Sequence, residues 1–376
     1  MAGLDALVEL SRRYGRDPDW VLAGGGNTSF KAGGRLFVKA SGSSLADIDA
    51  AGFCSIELSA LDRLWSASYP EDASAREAAA LADLMAARSE GETKRPSVET
   101  MLHGLFPQAY VVHTHPAAVN GITCSRGGRA VFERLFGDEG IWVPFVDPGY
   151  VLAKAVRTEL ERFRSRAGHA PGLMFMENHG LLIAAESPGE LRNLADRVMA
   201  RVRSEETRLP DLGARAVDPR SVATATIALA TLAGPAVSLR FRADGEILAR
   251  SASRSAFAPL SSAFTPDHIV YAGHEFLYVD SGEGEPLGRV LESGWREYEG
   301  RNGNPPRIVL VRALGAFACA AGPAAAETAL ELFVDACKIA AYAENFGGVS
   351  HMAREKIDFI RNWEVERYRS AVANRR

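Results

Sequence analysis

The chain has 376 residues, 47% apolar and 24% charged, the balance of an ordinary folded protein rather than a disordered or fibrous one. That length has room for two domains. Lys and Arg total 43 against 47 Asp and Glu, and the net charge of -4 provides no basic field to attract nucleic acid. Cys54, Cys124, Cys319 and Cys337 form no CxxC pair, which argues against a disulfide framework or zinc ribbon and for reduced thiols in the cytoplasm.

Residues 2–14 have the spacing of an amphipathic helix, with acids and arginines where a secretory apolar segment would tolerate none. No run approaches the roughly 20 uninterrupted apolar residues of a membrane span, so a soluble protein with no membrane partner is expected. A short strand is predicted at 20–23. Next comes AGGGNTSFKAGGRLFVKASGSSLADI at 23–48, two polar, glycine-rich loops joined by a strand at 35–39. It matches neither GxxxxGK[ST] nor GxGxxG, since Ser29 stands at the final glycine position. Glycines let backbone approach a ligand closely, and N–H groups flanked by Asn27, Thr28, Ser29, Ser41, Ser43 and Ser44 can cradle a phosphate, although two polar turns would also use such residues. Lys39 either adds charge to that cradle or is a solvated strand residue.

Helices are predicted at 57–66, 72–90 and 97–105. In the last, KRPSVETMLHGLFP, Ser97 is placed to cap the helix and Glu99 to lie in its first turn, complementing the dipole or serving as a proton-transfer group. A strand follows at 109–115 in YVVHTHP. Side chains two apart on a strand emerge on one face, so His113 and His115 can grip one metal ion. Helices at 129–136 and 151–168 precede a strand region at 172–184, where His179 sits in an Asn-His-Gly turn able to project its imidazole. Three histidines with an open position suit a catalytic site rather than a structural one. His103, His169, His268, His274 and His351 lack such company and are read as structural.

A helix at 188–208 leads to LPDLGARAVDPR at 209–220, whose prolines and glycine suit a linker. The expected domains are 1–212, catalytic, and 218–376, a second α/β domain with strands near 236–250 and 268–280 and long closing helices. PGLMFMENHGLLIAAESPGEL at 171–191 aligns with PRIVLVRALGAFACAAGPAAA at 306–326, matching Pro171, Gly180 and Pro188 to Pro306, Gly315 and Pro323. FVDPG at 145–149 likewise parallels YVDSG at 278–282. This is either chance likeness of two strand-turn-strand-helix units or a degenerate repeat. His179 falls opposite Leu314, so the second copy would hold no metal.

Together GGGNTSF, KASGSS, PSVET, HTHP and ENHG, in this order and spacing, resemble the class II aldolase/adducin family. The resemblance is strongest over 20–205 and is narrowest to the aldolase portion of bifunctional rhamnulose-1-phosphate aldolase/alcohol dehydrogenases. TPDHIVYAG and the NWEVERYR stretch at 362–369 also look like that subgroup. The resemblance implies a three-layer α/β/α domain, and a metal held by His113, His115 and His179, usually zinc, with manganese or cobalt as alternatives. It further implies substrate phosphate contacts from Asn27, Ser41, Gly42 and Ser97, Glu99 as catalytic acid/base, and a homo-oligomer. Val98 stands where many members have a second serine, so one phosphate hydrogen bond is either lost or supplied by Thr28 or Ser43. The implied reaction is reversible cleavage of a ketose 1-phosphate into dihydroxyacetone phosphate and an aldehyde. Epimerases and decarboxylases share the fold, as do adducin-like interaction modules that lose the histidines. An oxidoreductase would need a dinucleotide fingerprint, which these residues do not contain.

Overall fold

Polar residues at the start of the first sheet's third strand and histidines at the end of its fourth explain most of what this fold does. The computed structural model describes residues 2–280, 282 and 285–363. Two compact units divide the chain, the first built from 2–123 and 127–205, the second mainly from 206–362.

In the first unit, α1 (Ala2–Gly15) leads into the antiparallel strands β1 (Asn27–Ala32), β2 (Arg35–Lys39) and β3 (Phe53–Glu57). Helices α2 (Leu58–Arg63), α3 (Ala73–Ala86) and α4 (Thr100–Leu105) follow, then β4 (Tyr110–Thr114), α5 (Ala117–Thr123), α6 (Gly128–Phe136) and β5 (Gly140–Val143). The unit closes with α7 (Tyr150–Ala167), the hairpin β6 (Leu173–Met176) and β7 (Gly180–Ala185), and α8 (Pro188–Arg203). The sheet order is β3-β2-β1-β4-β7-β6-β5, which puts the histidine strand β4 at the centre.

Strand alternation fills both faces of this sheet. Val111, Met174, Met176, Leu182 and Ala184 join one core with residues of α2, α3, α4 and α7. On the other face Phe175 packs against Phe132 and Phe136 of α6, in a layer where α1 and α5 pack on α8. The unit is a three-layer α/β/α domain. Its helices start and stop on local signals: Ser187 accepts from Glu190 N–H ahead of Pro188 to open α8, and left-handed Gly168 ends α7.

The second unit contains α9 (Pro219–Ala233), β8 (Val237–Arg242), α10 (Gly245–Ser251), α11 (Arg254–Phe257), β9 (Leu277–Val279), α12 (Leu287–Asn302), β10 (Ile308–Val311), β11 (Gly315–Ala321), α13 (Pro323–Glu344) and α14 (Arg354–Asn362). Its sheet, β8-β11-β10-β9, repeats the order and strand directions of β4-β7-β6-β5. Asn178 and Ala313 are both left-handed in the equivalent hairpin turns, and Gly168 and Gly303 both end the equivalent helices. The second unit is thus α/β and has the strand order of the C-terminal four-strand half of the first, without counterparts of β1 to β3 among the described residues. Following the pairing, Leu182 lies opposite His113 and its equivalent Phe317 lies opposite Phe241. The three imidazole positions therefore become Phe241, Ala243 and Leu314, and the Phe241 and Phe317 rings pack 4.7 Å apart.

Several expected elements differ. Residues 20–23 form turns, with Trp20 and Val21 N–H both donating to the Asp17 carbonyl. The helix at 97–105 starts only at Thr100, because Ser97 and Glu99 form a preceding turn in which Thr100 N–H and Oγ1 donate to the Ser97 carbonyl. Ser97 is therefore not the helix cap; Glu99 holds that position. The helix at 188–208 ends at Arg203. The strand near 236–250 stops at Arg242 because Asp244 accepts from Ile247 N–H and opens α10. The region 268–280 begins with a π-helical turn, His268–Ala272, before β9. Residues 364–369 of NWEVERYR and Ser281 of YVDSG lie outside the described residues.

Candidate metal centre

His113 is on β4, wholly buried, and its Nδ1 lies 2.9 Å from the Leu181 carbonyl oxygen of β7. When Nδ1–H donates there, the Nε2 lone pair faces the other two imidazoles, the orienting arrangement common among metal-bound histidines. His115 sits just past the strand end, its N–H donating to the Trp20 carbonyl. His179 is carried by the β6–β7 turn, where left-handed Asn178 reverses the chain and His179 N–H donates to the Met176 carbonyl.

The His113 Nε2 is 2.9 Å from His115 Nε2 and 3.2 Å from His179 Nε2. All three donor atoms lie within 4.8 Å of one another. Two imidazoles on a tetrahedral ion with ordinary Zn–N bonds put their nitrogens roughly 3.3 Å apart. The donor set fits a divalent ion, since neutral nitrogens crowded this closely share too few protons to satisfy one another. Gly180 makes the approach possible: a Cβ there would come within 2.6 Å of both the Thr114 carbonyl and His115 Cδ2.

Glu99 closes the other side. Its Oε1 lies 3.3 Å from His113 Nε2 and 3.4 Å from His179 Nε2. Burial works to raise this carboxyl, but His113 and His179 beside it outweigh burial and hold it well below the usual carboxylate range. The imidazole of His179 is pushed down to about 4, first by burial, with Glu99 opposing. Metal binding needs the neutral imidazole, the form that burial favours for His179.

Around this core the glycine-rich segments supply a polar wall. Asn27 is wholly buried at the head of β1, and its Nδ2 donates to Glu99 Oε2 over 3.3 Å, while its Oδ1 has no partner among the described residues. The 40–43 loop runs beside 95–97: Ser41 N–H donates to the Arg95 carbonyl, and Ala40 bridges Pro96. Gly42 is left-handed, φ 85°, and Ser43 N–H donates to the Ala40 carbonyl. Ser97 Oγ accepts from Glu99 N–H at 3.3 Å. Asn27, Ser97, Glu99 and the histidines are thus assembled together, with Ser41, Gly42 and Ser43 on the adjoining loop.

Thr28 is not in this group. It points to the opposite face of β1, where its hydroxyl lies 2.6 Å from Ser11 Oγ of α1. Strand alternation forces that outcome once Asn27 faces Glu99. Lys39 is buried rather than solvated, its ammonium donating to the Gly24 and Ser43 carbonyls at 3.1 Å each and tying the two loops together. His103 lies on α4 one turn beyond Glu99, its Nδ1 2.7 Å from Ser29 Oγ, and so forms part of the floor of the site. Its membership was hidden in the sequence, although its i+4 spacing from Glu99 was the available signal.

The model of the class II aldolase and adducin N-terminal domain matches residues 5–203. The chain belongs to the class II aldolase/adducin family. A curated relative described as uncharacterized oxidoreductase YuxG of Bacillus subtilis (strain 168) is 33% identical over 195 residues, which are 49% of this chain and 27% of that protein. The chain therefore spans about a quarter of that relative's length. Among solved structures, the N-terminal class II aldolase domain of a conserved Thermoplasma acidophilum protein is 29% identical with a TM-score of 0.44, covering 54% of this chain and 92% of that one. The L-fuculose-1-phosphate aldolase of Thermus thermophilus is 15% identical with a TM-score of 0.33, covering 53% of this chain and 92% of that one. A family member of this kind is divalent-metal dependent as a rule, and the histidine cluster described above fits such an ion.

Proposed function

We propose that this class II aldolase/adducin family member is a lyase that cleaves a ketose 1-phosphate of the rhamnulose or fuculose type into dihydroxyacetone phosphate and an aldehyde. The observation that carries this reading is the position of Glu99, an ionised carboxylate within 3.4 Å of two imidazole nitrogens of the metal set. His113, His115 and His179 would hold zinc, with manganese or cobalt also compatible with imidazole donors. When bound, the ion supplies Lewis acidity toward the oxygens of the three-carbon fragment.

The chain's own residues do the rest. Asn27 orients the Glu99 carboxylate through its Nδ2. In the cleavage direction Glu99 returns a proton to the carbon that has lost its bond to the aldehyde, and in the synthesis direction it withdraws that proton. The hydroxyls of Ser41, Ser43 and Ser97, beside the Gly42 backbone, bind the phosphate, anchoring the substrate so that the reacting carbon meets Glu99. Thr28, turned toward Ser11, takes no part. A cytoplasmic homo-oligomer acting on a small sugar phosphate, with no nucleic-acid or membrane partner, is consistent with this reading. Among the described residues no helix is long and apolar enough to cross a membrane.

The test is release of dihydroxyacetone phosphate from rhamnulose 1-phosphate and fuculose 1-phosphate by the metal-loaded protein. Cleavage of either supports the proposal. Failure on both, with metal bound, would direct attention to epimerase or decarboxylase substrates.

A further inference from the structure

The second unit contains a cavity of about 400 Å³, within the size range of small-molecule sites. Its walls include Trp295 and Tyr298 of α12 and Cys319 to Ala321 of β11, and two arginines and a histidine reach it, Arg307, Arg361 and His274. Among the described residues no Asp or Glu lines it.

Arg307 donates through Nη1 alone, to the Val270 and Tyr271 carbonyls at 2.5 and 3.2 Å. Its Nε and Nη2 have no protein acceptor, and no carboxylate pairs with it, among the described residues. Those two nitrogens form the side-on edge of a guanidinium, the edge that matches both oxygens of a carboxylate. Burial lowers the Arg307 pKa from its ordinary value, the signature of a cation short of solvent and of counter-charge. Arg361 is only loosely engaged, 3.4 Å from Asp358 Oδ1 and the Asn302 carbonyl and 3.2 Å from Asn304 Oδ1. The His274 pKa is lowered from its ordinary value, first by burial and then by Arg361. The cavity is a positively charged space with aromatic walls and no anion of its own.

The first unit, whose four strands run in the same order, has no such group at the equivalent positions. Between the Gly168/Gly303 and Gly180/Gly315 pairs the two copies align without gaps, and Arg307 takes the place of Gly172. Trp295 and Tyr298 likewise stand where the first unit has Leu160 and Phe163. The second unit thus has a guanidinium and larger, partly polar rings where the first has Gly172, Leu160 and Phe163.

We propose that the second unit binds a small organic carboxylate with an apolar, ring-sized body, gripped side-on by Arg307 against Trp295 and Tyr298. An inorganic anion alone would leave the apolar walls unfilled. This site is independent of the aldolase reading.

Benzoate is the probe, titrated calorimetrically into the full chain, with benzamide as its neutral isostere and inorganic phosphate as the bare anion. Saturable binding of one benzoate per chain is expected, with benzamide weaker by about tenfold or more because it loses the charge-assisted fork. Arg307→Lys keeps a donor for the Val270 and Tyr271 carbonyls but lacks the fork, and should weaken benzoate by a similar factor. If that variant does not fold, Ala320→Phe leaves Arg307 in place and fills the cavity, and should abolish binding. Absence of saturable benzoate binding, equal affinity for benzamide, competition by phosphate as strong as by benzoate, or full binding by Ala320→Phe would each overturn the proposal.

Discussion

Glu99 Oε1 lies 3.3 Å from His113 Nε2, although one residue opens a six-residue helix and the other lies near the end of the central strand of the sheet. This contact joins the proposed acid/base group to the candidate metal donors. Glu99→Gln keeps the size of the side chain but removes the proton-accepting carboxylate. Metal content should stay near that of the parent, while the cleavage rate falls by about 10²–10⁴. Full activity with metal bound would show that another group moves the proton.

Asn27 Nδ2 sits 3.3 Å from Glu99 Oε2. Asn27→Asp replaces that donor with a second carboxylate, and like charges at this distance raise the pKa of the pair. The acid limb of the kcat/KM profile should move upward by about one pH unit or more. An unmoved limb would mean that Asn27 does not set the charge state of Glu99.

The Gly180 position tests the steric account of the β6–β7 turn. Gly180→Ala places a methyl within 2.6 Å of the Thr114 carbonyl, and backbone must shift to admit it. Stability should fall by about 1–3 kcal/mol, as for other overpacked sites. Metal affinity should fall with it, read by thermal denaturation and by metal titration.

His103 gives the fold an acid sensitivity. Burial, with Glu99 opposing, pushes its imidazole down to about 3. Unfolded, it titrates near the ordinary value of about 6.5. Above that pH both states are neutral and the full stability is present; as pH falls from about 6.5 toward 3 the unfolded state takes up a proton that the native state refuses, and stability declines. The slope from this group alone approaches about 1.4 kcal/mol per pH unit. In His103→Asn the denaturant-derived stability should fall less steeply between about pH 6 and 4, and an unchanged slope would contradict the assignment.

Much of this was legible from residue spacing, and the exceptions have physical causes. The histidine pair, the Asn-His-Gly turn and the long amphipathic helices announced themselves because period and turn chemistry agree with the fold. By contrast β1, which carries Asn27, Thr28 and Ser29, looked like loop because its buried residues are polar. Their partners, Glu99, Ser11 and His103, come from α1 and the α4 segment and leave no local trace. Helix α5 was missed because all of Ala117–Thr123 is buried, so it has no polar face to create a period. Three aligned residues in each stretch suggested a likeness between the units, yet only strand pairing showed that Phe241 and Ala243, besides Leu314, stand at the positions of the imidazoles. Leu314→His alone should therefore bind no metal.

Everything proposed for the first unit depends on His113, His115 and His179 holding one catalytic divalent ion. The decisive experiment is elemental analysis, by inductively coupled plasma mass spectrometry, of protein purified without chelator, with the parent compared against His179→Ala. About one transition-metal ion per chain in the parent, lost in the variant, is the result expected of a three-imidazole site. A parent that carries no metal and takes up none of zinc, manganese or cobalt would show that the three imidazoles do not form a metal site.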